Sequence, residues 1–171
     1  FERFRSPINA SVNAATPLVV GDSVFVSSCY DVGGAVWKLK PDGKGGVFTQ
    51  TVWKKDDSLD SHYATAVHHA DHPYGFHGRQ ERGPELRCVN LGDGSVKWAS
   101  GRMSAGNLIL ADGKLLILTE DGELILSPAS PMGFKVLYRQ QILGLEARAH
   151  FALATGRIYA RSQRSLSLIH N

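Results

Sequence analysis

Apolar strands follow short turns at nearly regular intervals along this chain of 171 residues. The turns lie at Asp22, Asp71, Asp112 and Thr155, so that successive turns are 49, 41 and 43 residues apart. A period of this length, with four short strands in each unit, is typical of propeller blades. The repeat therefore predicts an all-β chain, a β-propeller segment of about four four-stranded antiparallel blades from a seven- or eight-bladed ring.

The first two units align without gaps. Residues 15–22 (ATPLVVGD) superpose on residues 64–71 (ATAVHHAD), and the same offset places Phe4 on Trp53. The repeat then divides the chain into blades at residues 13–55, 62–102, 105–141 and 147–171, of which the last is incomplete. Residues 1–6 are predicted to be the end of a preceding blade.

Each unit divides into strands A to D, from the axis of the propeller to its rim. The predicted A strands are residues 13–20, 63–69, 105–111 and 148–154. The predicted D strands are residues 48–54, 95–99 and 134–139. A helix over residues 134–154 is the competing local interpretation, because this stretch has good helix formers and few β-branched residues. Gly144 interrupts it, and the repeat favours strands.

The ends of the chain leave the geometry of the ring open. A complete propeller pairs an N-terminal strand into its last blade, which removes the open sheet edge. Because the chain lacks an initiator Met and its fourth unit ends after strand C, we expect a piece of a longer protein whose upstream blades supply the missing strand. The alternatives are that residues 1–6 close a ring of four blades, or that two copies dimerise to complete a ring of eight.

One stretch resembles a known repeat motif. Residues 89–98 (VNLGDGSVKW) are similar to the tryptophan-docking motif A-x-D-x-x-T-G-x-x-x-W of the pyrroloquinoline quinone (PQQ) repeat family. Asn90 stands in place of Asp and Asp93 in place of Thr, whereas Trp98 keeps its spacing. The stretches NAATPLVVGDSVFVSS, LKPDGKGG, ILADGKLLILTEDGELIL and GRIYARS also resemble PQQ-like propellers. The resemblance, to the quinoprotein alcohol dehydrogenase-like superfamily, covers nearly the whole chain.

Large aromatic residues stand at the centre of the three D strands: Trp53, Trp98 and Tyr138. An aromatic ring on strand D lies over the neighbouring blade, and burying an indole contributes about 2 to 3 kcal/mol of apolar transfer free energy. We therefore predict that these three residues dock adjacent blades and have a structural role.

The resemblance implies an exported bacterial protein, periplasmic or otherwise extracytoplasmic. We expect a non-catalytic scaffold that binds proteins or ligands. The alternative is part of a PQQ-dependent alcohol or sugar dehydrogenase whose active site lies mainly in absent blades. Such enzymes use an Asp base, a calcium ion and often a vicinal cysteine pair, but Cys29 and Cys88 lie far apart in sequence. We therefore expect no catalytic residue and no cofactor in this chain; PQQ with calcium would require absent blades.

His62, Tyr63 and His150 are the candidate channel-lining residues. Strand A is innermost, so the start of each A strand opens on the central channel, where propellers bind ligands. Asp60, Ser61 and His62 have the residue types of a hydrolase triad, but no nucleophile-elbow glycines surround Ser61, so a loop is the better interpretation.

A metal site is not expected in the histidine-rich stretch HHADHPYGFHG. His68 and His69 are adjacent in a predicted strand, and successive strand residues point to opposite faces of a sheet. Solvated histidines in and near a turn account for the pattern.

The charge composition of the chain indicates which kinds of partner it is expected to bind. The net charge of +3 arises from 19 Lys and Arg against 16 Asp and Glu, and no basic run is longer than Lys54-Lys55, so nucleic acid is not expected. No stretch approaches the roughly 20 apolar residues of a membrane span, and the first residues lack the pattern of a signal peptide. We expect protein partners. The two cysteines leave a disulfide and free thiols both open.

Overall fold

The computed structural model describes Phe4 and residues 13–169. This part of the chain consists of β-strands and one 3₁₀ turn, Gln80–Arg82, so the helix considered over residues 134–154 is wrong. The strands are β1 (Leu18–Val20), β2 (Ser23–Ser28), β3 (Gly33–Pro41), β4 (Val47–Lys55), β5 (Val67–His69), β6 (His72–His77), β7 (Glu85–Val89), β8 (Val96–Arg102), β9 (Gly106–Ala111), β10 (Lys114–Thr119), β11 (Glu123–Pro128), β12 (Tyr138–Gln141), β13 (Ala152–Ala154), β14 (Arg157–Arg161) and β15 (Leu166–Ile169).

The strands form four antiparallel meanders in chain order. The sheets are β1-β2-β3-β4, β5-β6-β7-β8, β9-β10-β11-β12 and the three-stranded β13-β14-β15. We call them blades 1 to 4. The predicted all-β fold, a β-propeller segment of four small antiparallel sheets, is confirmed.

Tight turns between the first two strands of each blade mark the repeat. In blades 2, 3 and 4 both turn residues have positive φ, as type I′ hairpins require. These pairs are Ala70-Asp71, Asp112-Gly113 and Thr155-Gly156. Gly, Asp and Asn adopt this conformation most readily, which is why a regular series of such residues could reveal the period.

The hydrophobic core lies between blades and not within any one of them. One apolar cluster joins blade 1 to blade 2, a second joins blade 2 to blade 3, and a third joins blade 3 to blade 4. In β10, Leu115 and Ile117 belong to the second cluster, whereas Leu116 and Leu118 belong to the third. This strand is apolar throughout because both of its faces are covered.

Two sets of strand limits differ from those predicted. In blades 1, 2 and 4 the first strand has only three residues, and in blade 1 it starts directly after Pro17, which has no N–H to donate to a ladder. In blade 3 the last strand begins at Tyr138 and not at Phe134. The Phe134 ring instead packs against the Trp98 ring, with centroids 5.7 Å apart.

Most of residues 1–6, predicted to end a preceding blade, lies outside the described residues. Phe4 is the exception. Its ring meets the Trp37 ring edge-on, with centroids 5.6 Å apart, and the Lys54 ammonium lies 5.9 Å from its centroid. Phe4 therefore packs against the third and fourth strands of blade 1.

Candidate functional site

Antiparallel order places the loops of the chain on two opposite faces. One carries the links between blades and the turns between the second and third strands, and we call it the connection face. Its loops are residues 29–32, 56–66, 78–84, 103–105, 120–122, 142–151 and 162–165. The other, which we call the turn face, carries the hairpins between the first two and the last two strands of each blade.

A cleft of about 460 Å³ opens on the connection face, between blades 1 and 2. Its polar and charged lining residues are Tyr30, Asp31, Asp60, His77, Glu85, Arg79, Arg82, Arg87 and Arg102. We call it the arginine cleft. Sequence reasoning missed it, although the stretch GRQERGPELR carries three of the four arginines.

The floor of the arginine cleft is a buried network around Asp60. The carboxyl oxygens of this residue accept hydrogen bonds from Cys29 Sγ at 3.6 Å and from the Gly33 N–H at 3.4 Å. Burial raises the pKa of Asp60 and, with the nearby Asp60 carboxyl, raises the pKa of Cys29 to about 11. The Cys29 thiol therefore stays protonated and donates a hydrogen bond to Asp60.

The same loop is tied to blade 2. The Asp60 N–H donates to His77 Nδ1 at 3.1 Å, and the Gly78 N–H donates to the Asp60 carbonyl at 2.8 Å. Burial lowers the pKa of His77 to about 4, which keeps its imidazole neutral and able to accept at Nδ1. The cleft thus has a floor fixed to both blades.

Two of the four arginines are held by other groups. The Arg79 guanidinium lies 5.1 Å from the centroid of the Tyr30 ring, and its Nε is 3.3 Å from Glu81. Arg87 donates to the carbonyl oxygens of Asp57 and Ser58 and pairs with Glu85 at 2.7 Å. These contacts use the guanidinium groups to brace the walls of the cleft.

The other two arginines are exposed, and neither forms an ion pair with another residue in the described part of the chain. Arg82 lies in the 3₁₀ turn, and Arg102 ends β8. The stem of Arg102 passes over Gly83, where an added Cβ would lie 3.7 Å from Arg102 Cδ. Both side chains line the cleft.

His62 and Tyr63, two of the predicted channel-lining residues, lie at the inner end of blade 2. Their ring centroids are 5.8 Å apart, and His62 Nε2 is 3.2 Å from the Tyr30 hydroxyl. The Tyr63 hydroxyl donates to Glu120, which Arg148 approaches at 3.4 Å. Burial and the bond to Glu120 raise the pKa of Tyr63. This chain of contacts joins the inner ends of blades 1 to 4.

His150, the third predicted channel-lining residue, is not part of this cluster. Its side chain is exposed, its ring stacks on Phe151, and its Nδ1 lies 3.2 Å from the Phe151 carbonyl oxygen. Phe151 itself is buried in the core between blades 3 and 4. Arg148 and Glu120, which do belong to the cluster, were missed by sequence reasoning.

Two of the three predicted docking aromatics reach the next blade. Trp53 is 8% exposed, and its Nε1–H donates to the Leu91 carbonyl at 2.7 Å. Trp98 is half-buried, and its Nε1–H donates to the Ser130 carbonyl at 2.8 Å. In both cases the acceptor lies in the loop between the third and fourth strands of the following blade.

Tyr138 does not dock in the same way. It is 49% exposed, and its hydroxyl donates to the Gln140 side chain on the same strand. The described part of blade 4 ends with its third strand, so it does not include the loop that accepts the indole N–H groups of Trp53 and Trp98. Docking depends on the following blade as well as on the aromatic residue itself.

Cys29 and Cys88 are both buried free thiols. Within the described residues no group of three or more His, Cys, Asp or Glu side chains is arranged to hold a metal ion. The described residues, Phe4 and 13–169, include no helix that is long and apolar enough to cross a membrane.

No protein-family model matches the chain, and no curated protein matches it. Among solved structures, BamB from Moraxella catarrhalis is similar over 91% of this chain and 43% of BamB, with 16% identity and a TM-score of 0.62. The computationally designed protein Ika8 is similar over 91% of this chain and 45% of Ika8, with 9% identity and a TM-score of 0.61. The computationally designed protein Ika4 is similar over 99% of this chain and 98% of Ika4, with 9% identity and a TM-score of 0.63.

These similarities are similarities of fold. They agree with the four radially packed sheets in defining the chain as a β-propeller protein, and this chain spans less than half the length of BamB and of Ika8.

Proposed function

We propose that this chain is a PQQ-like β-propeller segment that serves as a non-catalytic protein-binding scaffold, with the connection face as its binding surface. The observation that carries the proposal is the difference between two parts of that face, the inner ends of the blades and the arginine cleft. The inner ends of the blades are filled by side chains bonded to one another, whereas the arginine cleft beside them is open and rigidly floored.

The inner positions do not fit a cofactor. The cavity between His62, Tyr63 and the start of β9 holds only about 10 Å³, whereas small-molecule sites usually measure roughly 300 to 1,000 Å³. The carboxylate there, Glu120, is already engaged by Tyr63 and Arg148. We therefore propose that this chain itself holds neither PQQ nor calcium.

The assignment to PQQ-like repeats is supported by how the blades interlock. The turn that follows Asn90 is built by its side chain, whose Oδ1 accepts from the Gly92 and Asp93 N–H groups at 2.9 and 3.1 Å. Gly94 in the same turn lies under the Trp53 ring. The motif of blade 2 therefore supplies Trp98 to blade 3 and receives Trp53 from blade 1, as a tryptophan-docking repeat would.

The fold similarity to BamB supports an extracytoplasmic location and protein partners as part of this proposal. The region that matches is less than half of BamB but nearly the whole of Ika4. Closure of the ring by a second copy of the chain remains an alternative to closure by further blades.

Site-specific photo-crosslinking tests the scaffold proposal. A photoreactive residue in place of Arg82 on the connection face should yield a discrete crosslinked protein in cells that make this protein natively. The matched control is the same residue in place of Lys44, which is exposed in a loop of the turn face. No crosslinked product, or the same product from both positions, would contradict the proposal.

An activity assay tests the alternative. The protein is reconstituted with PQQ and Ca²⁺, and dye reduction is measured with ethanol or glucose as electron donor. We expect the rate to equal that of the same mixture without PQQ. Turnover that requires PQQ would replace the scaffold by a quinoprotein dehydrogenase.

A further inference from the structure

We propose that the arginine cleft binds an acidic peptide, an extended segment that carries several carboxylate side chains. The inference rests on the proposed scaffold function and names the chemistry of its partner. Three features of the cleft carry it: two guanidinium groups that form no ion pair with the residues that the structure describes, a mixed lining, and a floor that is already ordered.

The free guanidinium groups belong to Arg82 and Arg102. Both side chains are exposed, and both line the cleft. A guanidinium presents a planar fork of donors that matches a carboxylate in two parallel hydrogen bonds. Arg79 and Arg87, by contrast, are committed to Tyr30, Glu81, Glu85 and backbone carbonyl groups, so a ligand meets Arg82 and Arg102 first.

The mixed lining favours a peptide over a compact anion. Asp31 also faces the cleft, and its charge opposes a phosphate or pyrophosphate placed at the centre of the cleft. An extended peptide can set its carboxylates against Arg82 and Arg102 and turn its backbone N–H groups toward Asp31. A volume of about 460 Å³ accommodates several side chains.

The ordered floor reduces the cost of binding. Asp60 is bonded to Cys29, Gly33 and His77, and the Ser61 N–H donates to Ser27 Oγ at 2.9 Å. These bonds already connect the loop between blades 1 and 2 to both sheets. A ligand therefore does not have to order the surface that it contacts, and binding retains more of its interaction free energy.

Fluorescence anisotropy with a labelled hexaglutamate peptide tests the inference. We expect saturable binding to the wild-type protein. The double variant Arg82→Gln, Arg102→Gln should weaken binding about tenfold, since each exposed ion pair contributes up to about a fivefold change in affinity. The variant Arg82→Lys, Arg102→Lys keeps the charge but not the fork, and it should fall between the two.

The matched control is Arg157→Gln, Arg161→Gln, which removes the same charge from two exposed positions on β14. This control should stay within about twofold of the wild type, because neither residue lines the cleft. Circular dichroism establishes that each variant is folded, and Arg82→Gln alone, at an exposed position, gives a second reading of the same site.

Three results would overturn the inference. The wild-type protein could fail to bind the peptide saturably, or the β14 control could weaken binding as much as the cleft variant. Pyrophosphate could also displace the peptide at constant ionic strength more effectively than free hexaglutamate does, which would assign the cleft to a compact anion. If the inference fails while crosslinking at position 82 succeeds, the scaffold proposal stands and the partner chemistry is different.

Discussion

The contact between Gly94 and Trp53 predicts a strong coupling between neighbouring blades. Gly94 has φ of +72°, and a Cβ added there would lie 2.6 to 2.9 Å from three atoms of the Trp53 indole. Gly94→Ala therefore has two costs: a left-handed backbone conformation and a steric overlap with the ring. Only the second depends on Trp53.

The magnitudes follow from the structure. A left-handed conformation costs an L-residue about 1 to 2 kcal/mol, and overpacking a core contact costs about 1 to 3 kcal/mol more. Gly94→Ala should therefore lower the free energy of unfolding by about 2 to 5 kcal/mol. In a Trp53→Ala background, itself destabilised by about 3 to 5 kcal/mol, the overlap is gone and only about 1 to 2 kcal/mol should remain.

Urea unfolding followed by far-ultraviolet circular dichroism measures the four free energies of this double-mutant cycle. We expect a coupling free energy of about 1 to 3 kcal/mol between the two positions. Gly43→Ala is the matched control, because Gly43 has φ of +74° and nothing within 4 Å of its added Cβ. It should cost about 1 to 2 kcal/mol in either background.

Additivity would refute this reasoning. If Gly94→Ala costs the same with and without Trp53, the indole does not pack on the turn of blade 2. If Gly43→Ala costs as much as Gly94→Ala in the wild type, the backbone conformation alone explains the loss.

Three further predictions concern the connection face and the buried thiols. Because the pKa of His77 is lowered to about 4 in the folded protein, the unfolded state takes up a proton at this residue first as the pH falls. The free energy of unfolding should therefore decrease as the pH falls from about 6.5 to 4. His77→Asn, which keeps an acceptor for the Asp60 N–H, should remove this part of the pH dependence in urea titrations, and an unchanged profile would contradict the prediction. Tyr63→Phe should cost about 1 to 2 kcal/mol by chemical denaturation because it removes the bond to Glu120, whereas the control Tyr159→Phe in blade 4 should change stability by less than about 0.5 kcal/mol. Buried Cys29 and Cys88 should not react with Ellman's reagent in the native state but should both react in guanidinium chloride; rapid native reaction would argue against their burial.

The repeat and the strands were predictable because their signals are local. Residues that accept positive φ, such as Gly113 and Gly156, occur at hairpins wherever they are placed in the fold. The apolar character of β10 was also readable, since it reflects burial on both faces. The lengths of the first strands were not predictable, because they depend on contacts made by residues ahead of each strand.

The candidate site was predicted only in part. His62 and Tyr63 lie at the inner end of blade 2, but the residues that bond to them, Tyr30 and Glu120, come from other blades. His150 is exposed and stacks on Phe151, apart from the contacts that join Tyr30, His62, Tyr63 and Glu120. The arginine cleft combines segments around residues 30, 60, 79–87 and 102, and no local pattern connects them.

By itself the sequence determined that this chain forms small antiparallel sheets in tandem, because hairpin turns and strand apolarity depend on residues close together in the chain. Only the tertiary structure decided which aromatic residues dock and which arginines face an open cleft. Trp53 and Tyr138 occupy equivalent strands, yet one is 8% and the other 49% exposed. The difference arises from the neighbouring blade, since docking and cleft formation require groups that are distant in sequence and brought together by packing.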